Sequence, residues 1–217
     1  MRFVVTAGPT REAIDPVRFI SNRSSGKMGY AIAEAALAGG HEVKLISGPV
    51  SIARPAGAHF ISIITSDELY QEVHRAIREC DVLVMCAAVA DYKPEKIEPR
   101  KMKKRKTPFA LKLIPTRDIL ASLPKGDRGF LVVGFAAETH DLKKSALRKL
   151  REKNCDLIVA NDVSKAGFGM ESDTNAVIIF RQSGGSKKIS RTSKKIIALE
   201  LVKIISKMSE KRLTKKA

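Results

Sequence analysis

The chain has 217 residues, 40 Lys+Arg against 23 Asp+Glu, a formal net charge of +17 and a hydrophobic share of 44%. Such a length suits one domain, at most two small ones, and the hydrophobic share is too high for a wholly disordered chain. No stretch approaches the roughly 18 uncharged apolar residues of a membrane-crossing helix, and the apolar N-terminal run is shorter than the ~7–15 residues of a signal-peptide core.

In chain order, residues 3–7 are a short β-branched apolar run that ends in Gly8-Pro9-Thr10, a strand followed by a turn. Residues 9–23 contain Pro9 and Pro16, lack periodicity and read as loop. From Ser24-Ser25-Gly26 onward, Ala31, Ile32, Ala35, Ala36 and Leu37 predict a helix, with Ser24 or Ser25 as its cap and Gly39-Gly40 as its stop. Strands are expected at 43–46, 60–64 and 82–86. A helix opens at Ser66-Asp67-Glu68 and runs to about Glu79, carrying Leu69, Val73 and Ile77 at helical spacing. An irregular stretch then reaches Thr107, and 117–123 reads as a short helix. A strand at 131–135, a helix at 142–153 and a strand at 157–160 follow. Residues 176–180 and 187–190, joined by Ser183-Gly184-Gly185-Ser186, read as an antiparallel hairpin. A last helix spans 196–205. Strands apolar on both faces and alternating with helices imply an α/β fold. We expect a three-layer, Rossmann-like, mainly parallel sheet that ends in an antiparallel hairpin and a helix. Residues 1–208 are expected to form one domain and 209–217 a basic, frayed tail.

The positive charge is local. Residues 93–106, 143–153 and 186–217 carry net +6, +5 and +9, which leaves −3 for the rest. Nucleic acid, a polyanionic small substrate and plain solvated faces all fit such segments. With no Trp and only Tyr92 at the edge of a basic run, stacking platforms for nucleic acid are scarce. Cys80, Cys86 and Cys155 form no CxxC pair, which argues against a disulfide framework or zinc site and fits a reducing cytosol. His41, His59, His74 and His140 show no ligand spacing.

In such a sheet, ligands bind beyond the C-terminal strand ends. The loop after residue 7 holds no G-x-G-x-x-G. Gly26-Lys27 is followed by Met28 rather than Ser or Thr, so a P-loop also fails. Asn22-Arg23-Ser24-Ser25-Gly26 feeds a helix N-terminus, which suits either a phosphate or simple capping. Arg18 could grip a carboxylate or phosphate, or pair with Asp15. In Cys86-Ala87-Ala88-Val89-Ala90-Asp91 the small residues allow a ligand near the backbone, and Asp91 could take ribose hydroxyls or a cation. Tyr92 and Lys96 imitate a dehydrogenase Y-x-x-x-K, but Pro94 between them breaks the helix that motif needs. Residues 100–106 form a basic run in a long connection, either a lid over phosphates or a solvated patch. Phe135 could pack a nucleobase or belong to the core, and Lys149 and Lys153 share one helix face.

Five segments taken in order resemble the phosphopantothenoylcysteine synthetase (phosphopantothenate–cysteine ligase) family, nearly end to end: VTAGPTREAIDPVRFISNRSSGKMGYAIA (5–33), CAAVADYKP (86–94), RKMKK (100–104), VGFAAET (133–139) and LIVANDV (157–163). The resemblance is to the bacterial type, which uses CTP with Mg2+; eukaryotic members use ATP. It implies that 4′-phosphopantothenate and L-cysteine are joined through an acyl-cytidylate, with CTP cleaved to CMP and pyrophosphate. By motif it assigns catalysis to Asn22, Lys101 and Arg18. It assigns the acyl-nucleotide to Ala87 and Ala88, and Ser24, Ser25 and Gly26 at the helix N-terminus are taken as further substrate- and intermediate-binding residues. The nucleotide goes to Gly8, Asp91, Lys101, Thr116, Arg117, Asp118, Ile119, Phe135, Lys149 and Lys153; the metal ligands are unassigned. Thr116-Arg117 departs from the usual Asn-Pro, which puts base and sugar recognition there in question. The resemblance further implies a homodimer, with the hairpin at 176–190 as a candidate interface, and a flavin-dependent decarboxylase as a possible separate chain. Neither nucleic acid nor a membrane is expected as a partner. An NAD(P)-binding oxidoreductase and a nucleic-acid module are the competing classes.

Overall fold

The computed structural model describes residues 1–104, 106–126, 128–138, 141–162 and 172–214. The elements are, in order, β1 (Arg2–Ala7), β2 (Arg11–Ala13), β3 (Phe19–Ser21), α1 (Lys27–Ala38), β4 (Glu42–Ser47), β5 (His59–Ser62) and α2 (Ser66–Ala76), which tightens into a 3-10 turn at Ile77–Glu79. Then come β6 (Val82–Met85), β7 (Tyr92–Pro94), β8 (Leu113–Pro115), β9 (Leu131–Glu138), α3 (Leu142–Glu152), β10 (Leu157–Asp162), β11 (Thr174–Arg181), β12 (Ser186–Ser193) and α4 (Lys194–Thr214).

Eight strands form one sheet in the order β12-β11-β10-β9-β6-β1-β4-β5. The six from β10 to β5 are parallel, and β11 and β12 close that side antiparallel. The expected α/β sheet with its terminal hairpin is therefore present. Both faces are buried, as the unbroken apolar strands require. Along β1, Phe3, Val5 and Ala7 pack with α1 and α4, while Val4 packs with α2 and α3. From β1 the chain builds outward to β4 and β5, then returns to the other side of β1 with β6. That reversal opens a crevice above the C-terminal ends of β1 and β6.

Local chemistry sets the element ends. Thr65 caps α2 by accepting from the Glu68 N–H while the Glu68 carboxylate accepts from the Thr65 N–H, and the buried Glu12 accepts from the Ser66 N–H at 2.9 Å. The hairpin turns through Gly184 and Gly185, both at positive φ.

Several expectations fail. Helix α1 is capped by neither serine. Gly26, with φ 77°, is its N-cap, and Ser24 Oγ accepts from the Gly26 N–H at 3.3 Å, inside the turn that precedes the helix. Residues 9–23 are not all loop, because β2 and β3 pair antiparallel. The irregular stretch after β6 contains β7, which pairs with β8. Residues 117–123 make overlapping hydrogen-bonded turns and no helix; the Asp118 carboxylate accepts from the Ala121 N–H, the Asp118 carbonyl from the Ser122 N–H and the Leu120 carbonyl from the Leu123 N–H. The segment from Ser209 is helical as far as Thr214. There the Arg212 guanidinium donates to the carbonyls of Phe130, at 3.1 Å, and Arg128. Residues 215–217 of that segment lie outside the described residues, as do His140 and, of the quoted motifs, Thr139 and Val163. The hairpin proposed as an interface presents Lys187, Lys188 and Arg191 on its outer strand.

Gly29 sits where α1 crosses β1. A Cβ there would fall 2.6 Å from Ala7 Cβ and 3.0 Å from the Thr6 carbonyl oxygen. Alanine gains about 1 kcal/mol in helix propensity, but the crossing must open to admit it. Gly29→Ala is therefore expected to lose about 1–3 kcal/mol overall, measured by urea denaturation; a more stable variant would show that α1 can move off the sheet freely.

Candidate active site

The crevice holds a cleft of about 730 Å³. Its floor is the segment 86–91, whose alanines have no means of fixing themselves. Polar side chains from elsewhere hold the backbone instead. Thr6, wholly buried on β1, accepts from the N–H groups of Cys86 and Ala87, both at 3.1 Å. Thr10 Oγ1 accepts from the Ala90 N–H at 3.0 Å, and Thr116 Oγ1 donates to the Ala90 carbonyl at 2.6 Å. The Thr116 N–H also donates to the Asp91 carbonyl at 2.9 Å. The loop after β1 is zipped to the same segment: Ala88 N–H donates to Gly8 O at 2.9 Å and Thr10 N–H to Ala88 O at 3.2 Å.

Asn22 completes this set. Its Nδ2 donates to the carbonyls of Ala88 at 3.2 Å and Val89 at 3.0 Å. Both amide hydrogens are thereby used, so the fresh contact Asn22 can offer a ligand is its oxygen, an acceptor. Beside it Gly26 leads into α1 at the positive end of the helix dipole, where anions are favoured. Gly8 lies beneath rather than in the cleft. It has φ 70°, and a Cβ on Gly26 would come 3.4 Å from the Gly8 Cα and 2.7 Å from Val50 Cγ1, so both glycines answer to close packing.

Thr116, Arg117, Asp118, Ile119, Phe135, Lys149 and Lys153 form the opposite wall. Lys153 pairs with the Asp118 carboxylate. Burial pushes that carboxyl up, but the hydrogen bonds from Lys153 and the Ala121 N–H outweigh it and the net direction is down. Arg117 leans toward α2, with its guanidinium 5.0 Å from the Tyr70 ring centroid and its Nε 3.8 Å from Asp67. Phe135 is half-buried and packs against the core of the α1 and α4 face, so it serves as wall and core together.

Of the residues singled out from sequence, Asn22, Ser24, Gly26, Ala87, Ala88 and Asp91 also line this cleft. Arg18 and Lys101 do not. They share a neighbouring depression of about 590 Å³ with Met102, Lys103, Lys104, Thr107 and Phe109. Ser25 and Gly8 line neither. Sequence reasoning missed Thr6 and Thr10, whose strand and turn settings look structural, although a threonine in an otherwise apolar buried strand is itself a signal. It also missed Lys27 in the wall, while Cys86 opens the floor segment. Lys27 Nζ is 2.5 Å from Asp173 Oδ1. Burial pushes the Cys86 thiol up to about 12, against a slight pull from Lys194, which disfavours the reactive thiolate. Among the described residues no group of three or more His, Cys, Asp or Glu is placed to hold a metal ion.

This arrangement can bind an elongated anionic ligand along 86–91, with cations at both ends, and can supply few groups for proton transfer. The family described as the DNA/pantothenate metabolism flavoprotein C-terminal domain matches residues 1–208. The coenzyme A biosynthesis bifunctional protein CoaBC of Bacillus subtilis (strain 168) is 46% identical over 208 residues, which cover 95% of this chain and 51% of that protein. The chain thus spans about half the length of the curated relatives it matches. The crystal structure of the C-terminal domain of a CoaBC protein superposes with a TM-score of 0.83 at 39% identity, covering 97% of this chain and 96% of that one. A Cab2 mutant in complex with phosphopantothenate-cysteine shares the fold at a TM-score of 0.80 and 16% identity, over 99% of this chain and 88% of that one. The chain belongs to the family of the DNA/pantothenate metabolism flavoprotein C-terminal domain, the phosphopantothenoylcysteine synthetase half of the bifunctional coenzyme A biosynthesis proteins.

Proposed function

We propose that this chain is a phosphopantothenate–cysteine ligase that activates its acid with CTP. The observation that carries the proposal is the stitched segment 86–91 with Asn22 across it, in a fold whose relatives are CoaBC proteins and one of whose neighbours holds phosphopantothenate-cysteine. The carboxylate of 4′-phosphopantothenate attacks the α-phosphorus of CTP and pyrophosphate leaves. The resulting acyl-cytidylate is a mixed anhydride, so the amine of L-cysteine can attack its carbonyl carbon and release CMP. Activation converts a poor electrophile into a good one, and the protein's task is positioning, charge stabilisation and exclusion of water.

The residues divide accordingly. Asn22, Ala87 and Ala88 hold the acyl phosphate region, where small side chains bring the ligand against fixed backbone. Ser24 and Gly26, ahead of α1, take the phosphopantothenate end, with Ser25 between them in sequence but outside the cleft lining. Phe135 and residues 116–119 take the nucleoside, with Lys149 and Lys153 near its phosphates. Arg18 and Lys101 answer the charge of the departing pyrophosphate from the neighbouring depression. Magnesium ordinarily needs one or two carboxylates plus substrate phosphate oxygens. Asp91 in the cleft fits that demand better than Asp118, which already pairs with Lys153. When bound, the ion neutralises the triphosphate. We further propose a homodimer, a flavin-dependent decarboxylase as functional partner and a cytoplasmic setting, which suits three free thiols.

The deciding measurement is pyrophosphate release before cysteine is added. We expect release that requires 4′-phosphopantothenate and prefers CTP to ATP; no release with either nucleotide would end the proposal. Asn22→Asp should still release pyrophosphate yet accumulate the acyl-cytidylate, seen by chromatography of the quenched reaction; normal turnover would remove Asn22 from the second step. Lys101→Ala should slow pyrophosphate release by about 100-fold, and a change confined to the KM for cysteine would remove Lys101 from the first step.

A further inference from the structure

The connection from β7 to β8 carries Lys101, and one residue of it is gripped twice. The Met102 N–H donates to Asp15 Oδ2 at 3.2 Å, and the Met102 carbonyl accepts from Arg18 Nη2 at 2.9 Å. Asp15 and Arg18 are themselves joined, because Oδ2 also accepts from Arg18 Nε at 3.0 Å and from Nη2. The other carboxylate oxygen accepts from the N–H groups of Val17 at 2.8 Å and Arg18 at 2.9 Å. The Asp15 side chain has no exposed surface, whereas that of Arg18 is 44% exposed. A side-chain ion pair thus presents to Met102 one acceptor and one donor, the pattern a neighbouring strand would offer. A backbone bond from the Glu98 N–H to the Ile14 carbonyl at 2.9 Å adds a second tie between the same two segments.

We infer that Asp15 is a positioning residue for Lys101: its carboxylate, with Arg18, clamps Met102 and so sets the backbone on which the adjacent lysine stands. The geometry is independent of the ligase reading; the kinetic consequence rests on it. Asp15 has five acceptor contacts and no exposure, so an amide of the same size cannot replace it. One arm of an asparagine would turn N–H groups toward Arg18 and the Met102 N–H. The hydrogen bond from Arg18 holds the Asp15 carboxyl far below the usual carboxylate range, against burial and aided by the N–H groups of Val17, Arg18 and Met102. A lowered pKa means that the clamp is intact above the ordinary carboxylate range and is lost only on strong acidification. Arg18 keeps an exposed side with Nη1 unused by these bonds, so an anion reaching it would touch the same guanidinium that holds the lid.

The test is limited trypsin digestion of the folded chain, together with the kinetics of pyrophosphate release, in Asp15→Asn and Met102→Pro. The proline variant removes the N–H at 102 and leaves the ion pair in place, which covers the case in which the buried Asp15→Asn does not fold. In both variants we expect cleavage within 100–104 to be about tenfold faster. The kcat for pyrophosphate release should fall about tenfold or more, with the KM for CTP moving less than about threefold. Unchanged cleavage in the folded variants would overturn the clamp, whatever the activity. Faster cleavage with unchanged kcat would overturn the positioning role. If the unaltered chain released no pyrophosphate, the ligase reading would fall, and the digestion alone would still decide the clamp.

Discussion

The site depends on how the backbone of residues 86–91 is held. A segment of alanines and valine lets a ligand come close, but it gives the protein nothing with which to fix the segment. Thr6, Thr10, Asn22 and Thr116 supply the missing polar groups from β1, from the loop after it, from the approach to α1 and from the connection after β8. Each hydrogen bond contributes about 1 kcal/mol on balance. The larger effect is geometric, because four separate parts of the chain must be in register before the floor of the cleft exists. Fold and site therefore form together. Loss of a methyl-sized hydroxyl such as that of Thr6 would strand two N–H groups in a place that water does not reach easily.

Electrostatics builds a second layer on that floor. The net charge of +17 is large, yet the cations around the cleft are individually assigned: Lys153 to Asp118, Lys27 to Asp173, Arg18 to Asp15 and the Met102 carbonyl. Lys194, 5% exposed at the start of α4, has its pKa lowered by burial and then by Lys27. These cations already have partners before any ligand arrives. They are suited to meeting a polyanion without first having to be ordered around it, which lowers the entropic cost of binding.

The order of elements was legible because each central strand reads as an unbroken apolar run and each covering helix has an apolar stripe; 82–85 and 66–76 illustrate the two patterns. What escaped the sequence is short or non-local. The strands β2, β3, β7 and β8 have three residues each and exist because a partner lies alongside, which no local pattern reveals. The helix forecast for 117–123 does not continue past the turn at Asp118, whose carboxylate accepts from the Ala121 N–H and pairs with Lys153 on the same wall of the cleft. The C-terminal residues read as a charged tail because Arg212 finds its partners, two carbonyls, 82 and 84 residues away. In the site, motif comparison named many of the residues that line the cleft, but it could not show that Arg18 and Lys101 belong to a separate depression or that Gly8 and Ser25 lie outside both. Nor could it show that the local pair of Arg18 with Asp15 and a reach toward a distant segment are simultaneous.

The grip of Arg212 also has a geometric consequence for handling the molecule. It seizes carbonyls immediately ahead of β9, at the lower end of the parallel strands, and Arg2 at the start of β1 is held there too by Asp81 at 2.7 Å through its N–H. Both extremities of the described chain are thus moored on the side of the sheet opposite the cleft. A fluorophore, a surface linker or another protein attached at either extremity leaves from that underside, so tethering the molecule for single-particle or flow measurements leaves the mouth of the cleft open to the bulk.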